Sequence, residues 1–370
     1  MDAVESAQSL RSRCAAALTG ALLLALAPVG ARAEVDPAAA LPPAAAIDAV
    51  IAAEIADRHL AGAVVVTGDA DGVRVRVARG FRVTGTAAEA MTADTVFDLA
   101  SLTKPVATAV AVMQLAERGE LDLDTPAAHY WPAFAARGKA DITLRQLLAH
   151  TSGLPPGVSS SRALRSRAAV LADIVAMAPD ARPGARVRYS DVNYVALGQI
   201  VERVSRRPLD AWCAMHIFAP LGMASTAFRP PASLLARVAP TVVRDGRLIR
   251  GRVHDPIAAA MGGVAGNAGL FASADDLARF ARMLLNGGTL GSARVLSRTS
   301  ITTLETPATL DAEGDLRTTG WAVAAPLVAN RYRLPAVGCA AASRLHGHRP
   351  VDRSGDAPLR GRADEPAVSR

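Results

Sequence analysis

The stretch TVFDLASLTK, residues 95–104, decides how this chain is interpreted. Its first part is short and apolar and predicts a strand, while Ser101 begins a helical pattern that ends at Gly119. Ser101 and Lys104 are three positions apart, so a helix places both side chains on one face. An unprotonated Lys104 amine can then take the proton of the Ser101 hydroxyl and make it a nucleophile for an acyl carbon. The stretch therefore predicts acyl-transfer chemistry.

The lysine content of the chain gives this short pattern more weight. Ser-x-x-Lys alone more often marks an ordinary exposed helix start than a catalytic pair. Of 41 basic side chains, however, only Lys104 and Lys139 are lysines, and the rest are arginines. Arginine stays protonated in proteins and cannot act as a general base. A lysine at position 104 therefore favours the catalytic interpretation.

Residues 1–33 have the pattern of a secretory signal peptide. Arg11 and Arg13 precede the apolar run CAAALTGALLLAL, and Ala-Arg-Ala at 31–33 forms a small-x-small cleavage site. The apolar run is too short to span a membrane, although an uncleaved anchor is the alternative. We expect a periplasmic or secreted protein without a stable membrane span after cleavage.

Composition excludes two further classes of protein. The net charge of +7 would suit a nucleic-acid partner, but residues 1–33 carry +1 and residues 331–370 carry +4. Only +2 remains on residues 34–330, so no nucleic-acid partner is expected. Of three cysteines, Cys213 alone lies in this range, which excludes a disulfide framework there.

The order of predicted elements indicates an α+β fold. After an Ala/Pro-rich linker at 34–44, residues 45–58 have helical periodicity, and AVVVTGD and VRVRVARG alternate as an antiparallel hairpin. A strand predicted from Thr319 returns to this opening sheet. Between them, helices are predicted to start near Thr143, Val192, Leu209 and Ala272. We expect one domain over 45–330: an α/β sandwich lobe with an antiparallel sheet, plus an inserted all-helical lobe.

A second polar group precedes the helix predicted from Val192. It comprises Tyr189, Ser190, Asp191 and Asn193. A Tyr phenol close to a Lys ammonium gives up its proton more easily, and it can pass that proton between nucleophile and leaving group. Taken alone, the segment favours a Tyr that is simply packed at a helix start.

At this point the chain resembles a known family, the serine hydrolases of the class C β-lactamase and penicillin-binding protein type, which include DD-peptidases and family VIII esterases. The resemblance covers about residues 45–330. It is carried, in order, by LASLTKPVAT, LLAHTSGL, YSDVNYVALGQIVERVS, IFAPLGM and GGVAGNAGLFASADDLARF.

The resemblance implies a DD-peptidase/β-lactamase-like fold and an acyl-enzyme mechanism. Ser101 would form the acyl-enzyme, Lys104 would activate it, and Tyr189 would act as general base and then as proton donor to the leaving group. Asp191 and Asn193 would bind the substrate, which would be a small molecule or a peptidoglycan-type peptide. No metal or cofactor is implied.

Asp191 departs from the family pattern, which has Asn at this position to support the lysine and grip the substrate amide. A carboxylate near Lys104 holds that amine charged more tightly, and it suits a substrate amide carbonyl poorly. The departure argues against efficient β-lactam hydrolysis and leaves an ester, peptide or amide substrate open.

Other interpretations have less support. The chain lacks a Gly-x-Ser-x-Gly elbow, so an α/β-hydrolase would have no nucleophile. His150 and His254 are single imidazoles without metal-ligand spacing and are predicted to be structural. The glycine-rich stretch at 262–269 does not follow a strand into a phosphate-binding helix, which favours a tight loop.

The resemblance also implies a third motif, a strand bearing Lys-Thr-Gly or His-x-Gly. Its backbone N–H completes the oxyanion hole with that of Ser101, and a Trp-Ile-Asp-Pro turn and a Val-rich strand follow. Residues 331–370 contain neither and have the composition of a disordered segment. His346-Gly347-His348 contains a His and a Gly, but no strand pattern surrounds them.

The genetic code suggests why the motif is missing. When each tail codon is read from its second base, the few residues permitted at each position from Arg344 to Ser354 can spell GFTGT, two open positions and WIDP. Those from Leu359 to Glu365 can spell YVVVLTN. We therefore predict a one-base slip between about Trp321 and Ala341.

The hypothesis that competes with a serine hydrolase is a non-catalytic protein. It would be either a binder of cell-wall ligands or a truncated, inactive homologue.

Overall fold

A computed structural model describes residues 42–159, 161–244, 247–310 and 316–324. The predicted signal peptide at 1–33, residues 34–41 of the predicted linker and the tail at 331–370 lie outside these ranges. No helix in the described ranges is both long enough and apolar enough to cross a bilayer.

Among the described residues, helical segments dominate 100–218, and the strands lie on either side of this range. The α-helices are α1 Ala44–Ala56, α2 Ala109–Glu117, α3 Ala127–Tyr130, α4 Leu144–Leu148, α5 Arg167–Ala176, α6 Asp191–Ser205, α7 Leu209–Cys213, α8 Ala232–Leu235, α9 Pro256–Ala260, α10 Ala274–Leu285 and α11 Arg298–Glu305. Turns of 3₁₀-helix cover Ala100–Leu102, Pro132–Gly138 and Ala163–Arg165, and π-helical turns cover Lys104–Thr108 and Ala214–Phe218.

All but one of the strands in the described ranges have seven residues or fewer, and neighbouring strands pair antiparallel. They are β1 Gly62–Gly68, β2 Val73–Val83, β3 Glu89–Ala90, β4 Val96–Asp98, β5 Ala227–Phe228, β6 Val242–Arg244, β7 Arg247–Ile249, β8 Leu270–Ser273, β9 Thr289–Leu290, β10 Ala293–Arg294, β11 Pro307–Leu310, β12 Leu316–Thr318 and β13 Ala322–Ala324. β1, β2 and β3 form one sheet, and β8 lies between β4 and β5 in another. The predicted α+β class is confirmed.

The opening helix and hairpin form a small layer of their own. β1 and β2 pair from Gly62 opposite Gly80 onward, as their alternating sequence predicts. Helix α1 packs its buried Ile47 and Ile51 against Val77 of β2, because apolar residues at i and i+4 lie on one helix face. The predicted helix and hairpin are therefore confirmed.

The main core surrounds α2 and fixes the segment before it. Every residue from Ala109 to Leu115 is buried, as expected of a helix that is apolar on all sides. β4, which leads into this helical region, pairs with β8, with Val96 opposite Ser273 and Asp98 opposite Phe271. The glycine-rich loop that precedes β8 is thereby brought against the turn that carries Ser101.

Side-chain caps explain where the predicted helices begin. Thr143 and Gln146 form a capping box at α4, and the Ser273 hydroxyl accepts the N–H of Asp276 at α10. The Ser190 hydroxyl caps α6 in the same way. These hydroxyls satisfy N–H groups that have no partner within the helix, so the helices start at the predicted positions.

The predicted return of the Thr319 strand to the opening sheet is wrong for the described residues. Residues 322–324 do form a strand, but β13 pairs with β12 in a sheet of β11, β12 and β13. The cause is local: the Thr318 N–H donates to the Trp321 carbonyl at 3.0 Å, and Gly320 has a φ of +139°. This tight turn folds the strand back on its neighbour.

Candidate active site

The strand-to-helix turn brings the predicted nucleophile and base together. Ser101 lies in the 3₁₀ turn Ala100–Leu102 that follows β4, and Lys104 begins the π-helical turn before α2. The Lys104 Nζ is 3.1 Å from the Ser101 Oγ. Lys104 is only 3 % exposed, so this amine is held inside the protein.

The Lys104 amine has three oxygen acceptors. Besides Ser101, its Nζ donates to the Asp191 Oδ1 at 2.5 Å and to the Asn267 backbone carbonyl at 3.0 Å. An ammonium has three N–H donors, and each finds one acceptor here. A neutral amine retains two donors for Asp191 and Asn267 and directs its lone pair at Ser101. The same geometry therefore suits both protonation states of Lys104.

Two carboxylates lie near the Lys104 amine. Asp191 is the first residue of α6, where the helix dipole favours a negative charge, and its side chain is 21 % exposed. Asp255 caps α9 and accepts the Asn267 Nδ2 at 3.1 Å. Burial and then the negative charge of Asp191 raise the pKa of the Asp255 carboxyl.

Tyr189 lies beside the Lys104 amine, as the sequence predicts. The Lys104 Nζ is 4.8 Å from the centroid of the Tyr189 ring, which is a cation–π distance. The ring of His150 also stacks on Tyr189, at 4.6 Å between centroids. Ser101, Lys104, Tyr189 and Asp191 thus meet in one place, although 88 residues separate the first of them from Tyr189.

His150 and Asn193 support this arrangement from within the protein. The His150 Nδ1 accepts the Ser190 N–H at 3.1 Å and fixes the residue that follows Tyr189. Asn193 is fully buried, and its Oδ1 accepts the Ser152 hydroxyl at 2.6 Å. His150 therefore contacts both Tyr189 and the residue that follows it. Asn193 has no exposed surface for its predicted substrate contact.

The glycine-rich loop at 262–269 is as tight as predicted. A Cβ on Gly266 would lie 1.9 Å from the Tyr194 carbonyl oxygen and 3.0 Å from the Gly198 nitrogen. Only glycine allows α6 and this loop to approach so closely. The loop then offers the Gly266 carbonyl to the Thr108 hydroxyl at 2.8 Å and the Asn267 carbonyl to Lys104.

Sequence reasoning missed three contributors to the site: Asp98, Asp255 and Asn267. The Asp98 carboxylate accepts the backbone N–H of Ala100, which precedes Ser101, and it also contacts the His254 ring. His254 is predicted from the sequence to be structural. The clustered glycines indicate a close backbone approach, but nothing in the sequence identifies Asn267 as the residue whose carbonyl meets Lys104. Within the described ranges, no three His, Cys, Asp or Glu side chains are grouped as metal ligands.

The arrangement can activate a serine hydroxyl. A neutral Lys104 amine at 3.1 Å can accept the Ser101 proton, and the resulting ammonium already has acceptors in Asp191 and Asn267. Heavy-atom distances of about 2.6–3.2 Å are those that proton transfer requires.

Comparison with known proteins agrees with this geometry. A protein of Escherichia coli (strain K12), provisionally named a D-alanyl-D-alanine carboxypeptidase, is 33 % identical over 286 residues, which cover 70 % of this chain and 64 % of that protein. This chain therefore spans less than two thirds of that relative.

Solved structures show the same fold. A penicillin-binding protein homologue from Caulobacter crescentus is 25 % identical with a TM-score of 0.63, over 75 % of this chain and 80 % of that one. A family VIII carboxylesterase is also 25 % identical, with a TM-score of 0.62, over 76 % and 81 % of the two chains. The family model described as beta-lactamase matches residues 47–340. From this match over most of its length, the chain belongs to the beta-lactamase family.

Proposed function

We propose that this protein is a serine hydrolase that forms an acyl-enzyme on Ser101. The observation that carries the proposal is the buried Lys104 amine, 3.1 Å from the Ser101 hydroxyl and held by Asp191 and the Asn267 carbonyl. Membership of the beta-lactamase family supports it.

The proposed cycle moves one proton at a time. Neutral Lys104 accepts the Ser101 proton as the Oγ bonds to the acyl carbon, and Tyr189 passes a proton to the leaving amine or alcohol as its bond to that carbon breaks. Water then attacks the acyl-enzyme and gives its proton to the deprotonated Tyr189, while Lys104 returns its proton to the Ser101 Oγ as the acid is released.

The proposed substrate is a peptide ending in D-amino acids or an ester, in preference to a β-lactam. The Asp191 carboxylate accepts hydrogen bonds and cannot donate one to a substrate carbonyl. The relative named as a carboxypeptidase and the neighbour named as a carboxylesterase support these two classes.

Covalent labelling tests the proposal. The purified chain is incubated with a fluorescent fluorophosphonate, a fluorescent penicillin, nitrophenyl esters and a D-alanyl-D-alanine peptide. We expect label and ester or peptide turnover in the wild type and neither in Ser101→Ala. Lys104→Met should lower the labelling rate at least about a hundredfold, because the general base is lost.

The control for these variants is Asp124→Asn, which removes an exposed ion pair with Arg145 and should label normally. A wild type that takes no label and turns over neither substrate, while its melting curve is cooperative, would favour the non-catalytic binder of cell-wall ligands instead.

We also propose that the protein is exported and that its reading frame shifts near the C-terminus. The signal pattern at 1–33 and the codon reading of 331–370 support these two proposals. Cell fractionation with N-terminal sequencing tests export, and a protein retained in the cytoplasm with residues 1–33 intact would contradict it. Resequencing the coding DNA tests the frame.

A further inference from the structure

Asp98 lies three residues before the proposed nucleophile, at the end of β4. Its side chain is 1 % exposed, so the carboxylate is buried. It accepts three hydrogen bonds: its Oδ1 takes the Ala100 N–H at 2.9 Å, and its Oδ2 takes the His254 backbone N–H at 3.0 Å and the His254 Nδ1 at 2.9 Å. One buried carboxylate thus joins the nucleophile turn to the segment at 254.

The residue that Asp98 holds has an uncommon backbone. Ala100 has a φ of +47°, in the left-handed region that residues with a side chain rarely adopt. This conformation sets the direction of the peptide that joins Ala100 to Ser101, and therefore the direction of the Ser101 N–H. An N–H at the start of a helical turn has no partner inside the helix, so it is available to a developing oxyanion.

The second arm of Asp98 reaches the other side of the site. His254 is followed by Asp255, which accepts the Asn267 Nδ2, and the Asn267 carbonyl accepts the Lys104 amine. The bonds from Asp98 therefore close a ring through the 254–255 segment and the glycine-rich loop back to Lys104. Movement of Asp98 would change the position of Ser101 relative to its base.

We propose that Asp98 is a positioning residue for Ser101: it holds the left-handed Ala100 and, with His254, fixes the nucleophile turn against the loop that anchors Lys104. The role rests on the proposed function, because it concerns the rate of acylation. Asp98 itself takes part in no proton transfer.

The test measures acylation of Ser101 by the fluorescent fluorophosphonate in the full chain, over a range of probe concentrations. Asp98→Ala should lower the maximal labelling rate about a hundredfold and leave the half-saturating concentration unchanged, because a small misplacement of a reacting atom has effects of this size. The labelling rate of Asp98→Asn should lie between those of the wild type and Asp98→Ala, because the amide oxygen still accepts the Ala100 N–H.

A second substitution separates positioning from general stability. Glycine adopts positive φ without strain. The double variant Asp98→Ala/Ala100→Gly should therefore label at least about tenfold faster than Asp98→Ala alone. The matched control is Asp276→Ala, which removes another buried carboxylate that accepts a backbone N–H, that of Ser225 at 2.8 Å. This variant should lose stability but label at the wild-type rate below its melting temperature.

Two results would overturn the inference. Asp98→Ala could label as fast as the wild type, or Ala100→Gly could give no recovery in the Asp98→Ala background. Failure of the proposed function is a separate outcome, since the wild type would then take no label at all and Ser101→Ala would change nothing.

Discussion

Both lysines of this chain are buried, and each binds three oxygen atoms. The Lys139 Nζ donates to the backbone carbonyls of Ala136, Val175 and Met177 at 2.5, 3.0 and 2.5 Å, and the side chain is fully buried. A planar guanidinium cannot direct three donors from one atom, so arginine does not replace either lysine. Lysine scarcity therefore identifies two special positions, and the neighbouring Ser101, Tyr189 and Asp191 distinguish the proposed base from Lys139.

Lys139 gives a prediction about stability and pH. Burial, followed by the nearby charge of Arg137, lowers the pKa of Lys139 to about 8. The unfolded chain, with an ordinary lysine, binds more protons between about pH 8 and 10.5, so the free energy of unfolding should rise with pH across this window. The rise attributable to Lys139 is at most about 3 kcal/mol.

Urea denaturation from pH 7 to 10 measures this effect as the difference between the wild type and Lys139→Met. Subtraction removes the titration of other groups, which both proteins share. A difference that stays constant with pH would contradict the prediction.

Asp191 gives a prediction about substrate preference. Asp191→Asn keeps an oxygen acceptor for Lys104 and adds an N–H that can donate a hydrogen bond to a substrate carbonyl. The rate of acylation by penicillin, divided by that for a nitrophenyl ester, should rise about tenfold, the value of one additional hydrogen bond. Stopped-flow labelling measures both rates, with Asp124→Asn as the surface control. An unchanged ratio would show that Asp191 does not select substrates.

The sequence predicts those parts of the site whose signal is local. Ser101 and Lys104 are three residues apart, and Tyr189 stands directly before a helix start. Asp98 and Asn267 act through contacts across 156 and 163 residues, with His254 and Lys104 respectively. Those contacts depend on strand pairing and on backbone approach, which no short pattern encodes.

At the scale of elements, the contact between α6 and the glycine-rich loop sets the position of Lys104. Gly266→Ala would place a methyl group within 2 Å of the Tyr194 carbonyl, so the loop must move and carry the Asn267 carbonyl with it. We expect a loss of at least about 2 kcal/mol in unfolding free energy and slower labelling of Ser101.

Gly72→Ala is the matched control, because a Cβ at Gly72 meets nothing within 4 Å. Thermal and urea denaturation measure the stability of both variants, and fluorophosphonate labelling measures the site. Equal stability and labelling in the two variants would contradict the role given to the Gly266 contact.

Helices and strands whose apolar residues recur at a regular spacing could be predicted from the sequence. The partner with which a strand pairs was harder to predict. The structure contains α1, the β1–β2 hairpin, α6 and α10 as predicted, and Ser190 and Ser273 cap the last two. The strand at 322–324 was predicted as a strand but with the wrong partner. Its partner depends on the turn at Gly320, whose geometry the alternation of apolar residues does not record.

At the scale of the whole molecule, the opening sheet leads to a prediction about the reading frame. Among the described residues, β1 pairs with β2 alone, and β1 is the outer strand of its sheet. The proposed shifted frame can spell YVVVLTN, a Val-rich segment with the character of a strand. We expect a chain with the shifted frame to melt at a higher temperature and to turn over esters roughly a hundred to a thousand times faster, because the oxyanion strand returns.

Expression of both coding sequences in parallel measures the two effects, and Ser101→Ala in each serves as the blank. Coding DNA that reads the present tail without a slip, or a restored chain that is no more stable or active, would contradict the proposal.

One acceptor of Lys104 is the main-chain oxygen of residue 267, which any amino acid would provide. A substitution at that position removes the bond from the Asn267 Nδ2 to Asp255 but keeps a main-chain oxygen, so it tests the support of that anchor and not the anchor itself. Insertion or deletion of a residue within 262–269 shifts the oxygen itself. We expect this loop to tolerate changes of residue at position 267 far better than changes in its length.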